Sequence, residues 1–235
     1  MPPLELETFE LEQAAFEVRY PTAYQLWDRA GALWSAVQDA WPAIELIQAD
    51  PMKQSFRLAN VYEIAVELKK AQVSSFKPEP SLKELRAFLD TYFGLLVKFL
   101  DLSVLNRVGF RLRFYREFDK AAAAAAVMQT DRLRVPDGAH FSIEGAVTLP
   151  EFGLRWEGKS LGVMVRLTAE DRKYDFEPHP MLKRVEPVHF ATSGVLLDID
   201  YYTVGIVKSS QLRVDEWIKQ AHHVIKRDIG SFLKP

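Results

Sequence analysis

Residues 105–118, with the sequence LNRVGFRLRFYREF, decide the fold because apolar and cationic side chains alternate along them. On one side of an extended chain lie Val108, Phe110, Leu112 and Phe114. On the other side lie Arg107, Arg111, Arg113 and Tyr115. A period of two residues is typical of a β-strand with one buried face. The sequence therefore predicts a strand whose second face carries a row of guanidinium groups, and these cations must find anions in the protein or in a ligand.

The segments around this strand predict a mixture of helices and further strands. Capping boxes at Thr22 with Gln25 and at Ser81 with Glu84 precede apolar stripes of helical period, which predicts helices over residues 22–41 and 81–100. A third amphipathic helix is expected over 213–233 and a short alanine-rich helix over 120–128. Strand patterns occupy residues 10–20, 61–68 within 44–76, 141–147, 154–156, 161–167 and 195–207. The charged residues 169–193 show no period and predict a long loop.

This order of elements favours an α+β fold. We expect a large, mainly antiparallel sheet with three long helices on one face. The order of strands and helices predicted for residues 1–118 is that of a ferredoxin-like half with an extra hairpin. Residues 119–235 are expected to form a second α+β half that completes the same sheet, either within one domain or as two fused halves. A length of 235 residues and a hydrophobic content of 48% are enough for such a core.

Composition limits the compartment and the classes of partner. The 30 basic and 32 acidic side chains give a net charge of −2, so nucleic acid is an unlikely partner unless a local basic patch exists. The chain contains no cysteine, which fits a reducing cytosol. Its acidic first residues do not have the pattern of a signal peptide, and its apolar runs are too short to cross a bilayer. We therefore expect a cytoplasmic protein without a membrane segment.

Three short segments resemble a family of uncharacterised prokaryotic proteins of similar length, which is distributed sporadically among genomes. They are the strand Ala15-Phe16-Glu17-Val18-Arg19-Tyr20, the motif Asn106-Arg107-Val108-Gly109-Phe110-Arg111, and a closing helix in which Ala221-His222 leads to Phe232. The family's central strand has an Arg-apolar-Gly-apolar-Arg pattern followed by an aromatic residue. A strand that ends in an acidic residue precedes its last helix, and Asp198 and Asp200 fill that role here. This chain carries Leu112 and Arg113 where the family often has an aromatic residue and an asparagine. The resemblance implies no settled activity.

The candidate site combines the arginine row with acidic residues of other strands. The predicted ligand-binding residues are Arg107, Arg111, Arg113, Arg19, Glu17, Asp198 and Asp200. Two interpretations remain open. The charges neutralise one another as cross-strand ion pairs, or part of the row binds an anionic ligand in a cleft. Gly109, in the middle of the strand, indicates either a bulge or a close approach by another group.

Two functions from different classes are consistent with these residues. The first is a non-catalytic binding or regulatory protein that takes an anionic ligand or a protein partner on the polar sheet face, with a homodimer as one form of partnership. A ridge formed by Trp27, Trp34 and Trp41 either packs on the sheet or forms such a partner surface. The second is a metal-dependent enzyme acting on a phosphate-bearing substrate, with Asp198 and Asp200 as metal ligands. No phosphate-binding loop, nucleophile motif or metal motif is present, which favours the first. The sequence identifies no cofactor.

Overall fold

The computed structural model describes residues 4–76, 81–128, 149–176 and 188–233. Its α-helices are α1 (Gln25–Ala40), α2 (Leu82–Leu100), α3 (Lys120–Met128) and α4 (Val214–Leu233). The first strands are β1 (Glu10–Arg19), β2 (Ile44–Asp50), β3 (Lys53–Leu58), β4 (Tyr62–Glu67), β5 (Lys70–Phe76) and β6 (Val104–Leu105). The remaining strands are β7 (Arg107–Phe118), β8 (Glu151–Glu157), β9 (Leu161–Phe176), β10 (Val188–Thr203) and β11 (Val207–Lys208).

Nine of these strands form one antiparallel sheet in the order β2-β3-β4-β5-β1-β7-β10-β9-β8. The predicted α+β class and the large antiparallel sheet are therefore confirmed. The arginine-bearing strand β7 lies near the middle of the sheet, between β1 and β10. Strands β6 and β11 pair separately as a short ribbon. Within the described residues, no helix is both long enough and apolar enough to span a bilayer.

The hydrophobic core lies against one face of the sheet. Val108, Phe110 and Leu112 of β7 are almost fully buried, as the alternating pattern predicts. They belong to one apolar cluster with residues of the neighbouring strands and with the buried sides of all four helices. Alternate residues along a strand point to opposite faces, so the arginines between these apolar residues belong to the other face. We call that other side of β1, β7, β10 and β9 the polar face.

The ends of the first two long helices show what sequence motifs can and cannot fix. Ser81 and Glu84 form the predicted capping box, in which the Glu84 carboxylate accepts from the Ser81 backbone N–H at 2.7 Å. The box predicted at Thr22 is wrong, because α1 begins at Gln25 and has no side-chain cap. The backbone N–H of Ala23 donates instead to the Leu68 carbonyl at 2.8 Å. This hydrogen bond holds Ala23 beside the sheet, and the helix begins three residues later than predicted.

The predicted loop over residues 169–193 is wrong at both ends. Strand β9 continues to Phe176 and β10 begins at Val188, so the two strands pair over sixteen positions, from Leu161 with Thr203 to Phe176 with Val188. Strand β8 spans Glu151–Glu157 and is therefore longer than the strand predicted over 154–156. The strand predicted over 141–147 lies outside the described residues. The closing helix is confirmed, since α4 spans Val214–Leu233.

Candidate functional site

The strand register brings every predicted site residue onto the polar face. Arg111 lies directly opposite Asp200 on β10, and Arg113 lies opposite Asp198. On the other side of β7, Arg107 is opposite Arg19 of β1. Residues opposite each other in an antiparallel pair share a face. Glu17 lies two residues before Arg19 on β1 and therefore shares this face too.

Arg107 occupies the centre of an ion-pair network. Its guanidinium donates to the Glu17 carboxylate at 2.9 Å and to the Asp200 carboxylate at 2.6 Å. Glu17 also accepts from Arg19 at 2.8 Å. To reach Asp200, the Arg107 side chain lies across Gly109, where a Cβ atom would stand 2.7 Å from Nη1. The β1–β7 register runs through Gly109 without a shift, and the β7–β10 register reaches it without one, so this glycine allows a close approach and does not mark a bulge.

Arg111 forms a bidentate ion pair with Asp198. Its Nε donates to one carboxylate oxygen at 2.6 Å and its Nη2 donates to the other oxygen. The Asp198 side chain is only 8% exposed, so the pair compensates a carboxylate that is nearly out of water. The hydrogen bonds from Arg111 to Asp198 raise the pKa of the guanidinium above its ordinary value. Burial raises the pKa of Asp200, and the positive charges of Arg107 and Arg111 oppose that rise.

Arg113 is the exception in the row. Its directly opposed carboxylate, Asp198, is bound by Arg111. The Arg113 Nε is buried, and it has no hydrogen-bond partner within the part of the chain that the structure describes. Arg166 of β9 also lies directly opposite Asp198, on its other side. Its Nη2 donates to the Met164 sulfur at 3.5 Å, and neither Arg166 nor Arg113 has a described carboxylate within ion-pair distance.

Two further clusters flank this network, and the sequence did not indicate either of them. The Tyr202 hydroxyl donates to Glu157 at 2.9 Å and accepts from Arg155 at 2.8 Å, and the Arg107 guanidinium lies 4.7 Å from the centre of the Tyr202 ring. The second cluster joins Arg172 to Glu12 and Glu170 and stacks Arg172 on Tyr115. Arg172 falls in the segment predicted to be a loop, so no strand period pointed to it.

A small polar depression lies over the paired part of the network. It measures about 130 Å³ and is lined in part by Gln13, Gln72, Arg107 and Asp200. Pockets for drug-sized ligands usually measure about 300 to 1,000 Å³. The paired centre therefore has room for ordered water or a small ion and not for a large substrate.

The carboxylates of Asp198 and Asp200 are already engaged by guanidiniums. Among the described residues, no group of three or more histidine, aspartate or glutamate side chains is arranged to hold a metal ion. A divalent cation at Asp198 or Asp200 would also meet the positive charges of Arg107 and Arg111. The geometry of these two residues is that of ion-pair partners.

Comparison of the chain with known proteins adds no assignment to this geometry. No protein-family model matches the chain. No curated protein matches it either.

Proposed function

We propose that the protein is a non-catalytic binding protein that takes an anionic ligand on its polar face, with Arg113 as the main contact and Arg166 beside it. The observation that carries this proposal is the buried Arg113 Nε, which has no acceptor among the described residues. A buried donor without a partner costs about 1 to 3 kcal/mol. An incoming carboxylate or phosphate would recover that cost through charge-assisted hydrogen bonds.

The charge balance of the polar face supports an anion over a cation. The registers place five arginines on its central part and only three carboxylates among them. The five arginines are Arg19, Arg107, Arg111, Arg113 and Arg166. The three carboxylates are Glu17, Asp198 and Asp200. Two positive charges are therefore uncompensated within this set. They are those of Arg113 and Arg166, which flank Asp198.

We infer that the helices leave this face open. The helices α1, α2 and α4 contribute their buried sides to the apolar cluster, which supports their placement together on the opposite face. In the N-terminal part, α1 connects β1 to β2, and α2 with the short strand β6 connects β5 to β7, with the strand order β7-β1-β5-β4-β3-β2. This order supports a ferredoxin-like arrangement with an inserted hairpin. In such an arrangement one sheet face stays available for ligands.

Membership of the family of uncharacterised prokaryotic proteins, which the short motifs suggest, is also a proposal. Arg113 stands where the resembling family often carries an asparagine. The anion site is therefore proposed for this chain alone. The metal-dependent enzyme expected as the alternative gains no support from Asp198 and Asp200, because both carboxylates accept hydrogen bonds from arginines.

Titration calorimetry with sulfate and with succinate tests the proposal. We expect wild-type protein to bind at least one of these anions, and the Arg113→Gln variant to lose about tenfold or more in affinity, the equivalent of one charge-assisted hydrogen bond. Because Arg113 makes no described ion pair, the variant should keep or slightly raise the melting temperature.

Arg57→Gln is the matched control. Arg57 forms an exposed pair with Glu63 at 3.2 Å on β3 and β4, away from the proposed site, so its loss should not change anion binding. The proposal fails if wild-type protein binds neither anion, or if Arg113→Gln and Arg57→Gln have the same affinity as wild type.

A further inference from the structure

The two uncompensated arginines are separated by one strand, and this spacing bears on the kind of anion that fits. Arg113 on β7 and Arg166 on β9 both lie directly opposite Asp198 on β10. Neighbouring strands are about 4.8 Å apart, so the backbones of Arg113 and Arg166 are about 10 Å apart. Because both side chains are long, the two guanidinium groups can lie closer together than the two backbones.

Asp198 disfavours a single compact anion placed midway between the two arginines. Its carboxylate lies in the middle of the row and is held there by Arg111. An anion above it would meet a like charge at close range. The next residue of β10 on the polar face is Leu196, which is buried and offers no charge of either sign. Anionic groups are therefore best accommodated on either side of β10, one at each arginine.

We infer that the ligand class is a bis-anion, a molecule with two separated carboxylate or phosphate groups that straddles β10 and places one group at Arg113 and the other at Arg166. This inference rests on the proposed anion-binding function. A ligand with two negative charges neutralises the two excess positive charges of the central polar face. Each guanidinium offers a planar pair of donors that matches one carboxylate or phosphate.

The neighbouring arginines do not offer an equivalent second anchor. Arg19, Arg107 and Arg111 are engaged by Glu17, Asp200 and Asp198. Arg172, beyond Tyr115, is held by Glu12 and Glu170. The described residues thus provide two anchors on this part of the sheet, and their separation sets the length of the ligand.

Linear dicarboxylates from malonate to suberate test the inference, with butyrate as the single-charge comparison. For wild-type protein we expect an optimum at an intermediate or long chain, with an affinity at least about tenfold above that of butyrate. Arg113→Gln and Arg166→Gln should each remove the dependence on chain length and reduce the best dicarboxylate to the level of butyrate. Arg113→Lys, which keeps the charge but lacks the planar donor pair, should give an intermediate affinity.

The outcomes separate this inference from the proposed function. If butyrate binds as tightly as every dicarboxylate and Arg166→Gln is indistinguishable from wild type, the bis-anion is wrong while anion binding at Arg113 stands. If no anion binds, or Arg113→Gln has no effect, both are wrong. Far-ultraviolet circular dichroism of each variant verifies that the fold is retained, and Arg57→Gln again serves as the control.

Discussion

Arg107 shows how one side chain ties three strands together. It joins Glu17 of β1 to Asp200 of β10, and its own side chain is only 19% exposed. Its guanidinium also lies over the Tyr202 ring. Removal of Arg107 leaves two partly buried carboxylates with fewer compensating charges, and such losses are costly when the remaining charge cannot reach water.

We therefore expect Arg107→Gln to lower the free energy of unfolding by about 2 to 3 kcal/mol, less than for a fully buried pair because the partners are partly exposed. Arg57→Gln should change it by about 0.5 kcal/mol or less, because both members of the Arg57–Glu63 pair are well exposed. Urea unfolding of the two variants measures the difference. Equal losses would contradict the central role given to Arg107.

The raised pKa of Asp200 gives the polar face a dependence on pH. Burial raises this pKa, so the folded protein takes up the proton of Asp200 at a higher pH than the unfolded chain does. The contribution of Asp200 to the free energy of unfolding should therefore increase as the pH falls from above the folded pKa to the unfolded value. The charged groups that act on Asp200 are Arg107, Arg111 and Asp198.

Protonation of Asp200 also removes a negative charge from the face. We expect sulfate affinity to rise about fifteenfold on acidification through this pKa, the effect of one unit charge on a dianion over roughly 10 Å at an effective dielectric constant of about 40. The Asp200→Asn variant should bind sulfate tightly at both pH values. Calorimetry at two pH values measures this, and an equal pH dependence in wild type and variant would contradict it.

At the scale of elements, the sequence predicts what periodicity and local motifs control. The apolar alternation of β7 is confirmed because its inward side chains must meet the helices, and the Ser81 box is confirmed because its two hydrogen bonds are local. The extension of β9 was not predictable from apolar alternation. Asp171 and Lys173 lie on the same face as the buried Ala169 and are exposed, so nothing requires them to be apolar.

The same contrast holds for the candidate site. Alternation alone indicates that the arginines share one face, and the structure adds the register that assigns partners. Asp198 pairs with Arg111 and not with Arg113, its direct neighbour across the strands. Which of these two arginines binds Asp198 depends on their side-chain conformations, and no local sequence pattern determines those conformations.

Gly194 provides a test of the β7–β10 register. A Cβ atom at this position would stand 2.5 Å from the Arg116 carbonyl oxygen and would overlap the Tyr115 ring. We expect Gly194→Ala to lower the free energy of unfolding by about 1 to 3 kcal/mol, the usual cost of forcing extra volume into a packed site. Gly31→Ala, in α1 with open space around its Cβ position, should be neutral or stabilising by up to about 1 kcal/mol. Similar melting temperatures for the two variants would show that the register differs.

At the scale of the whole molecule, the sheet connects the two halves of the sequence. Strand β7 pairs with β1 on one side and with β10 on the other. The Trp217 ring of α4 packs edge-on against Phe16 of β1, with ring centres 6.4 Å apart, and is tilted against Tyr201 of β10, with ring centres 5.9 Å apart. Arg86 of α2 holds Asp215 of α4 with two hydrogen bonds of 2.7 and 2.8 Å.

These contacts lead us to expect that both halves unfold together. In single-tryptophan variants that retain either Trp34, stacked on Phe56, or Trp217, the fluorescence transitions in urea should coincide. Two separate midpoints would show that residues 1–118 and 119–235 are independent units. Of the predicted tryptophan ridge, Trp41 packs against Phe88, as Trp34 does against Phe56, whereas Trp27 is 52% exposed beside Tyr24. A partner surface at Trp27 stays one of the two predicted alternatives.

An anomalous difference map from crystals soaked in selenate locates a bound anion and so tests anion binding at Arg113 by direct observation. We expect a selenium peak on the polar face of the sheet, about 4 Å from the Arg113 guanidinium nitrogens, which places a selenate oxygen within hydrogen-bonding distance of them. A map without a peak on that face, together with Arg113 bound to a carboxylate of its own chain, would contradict it.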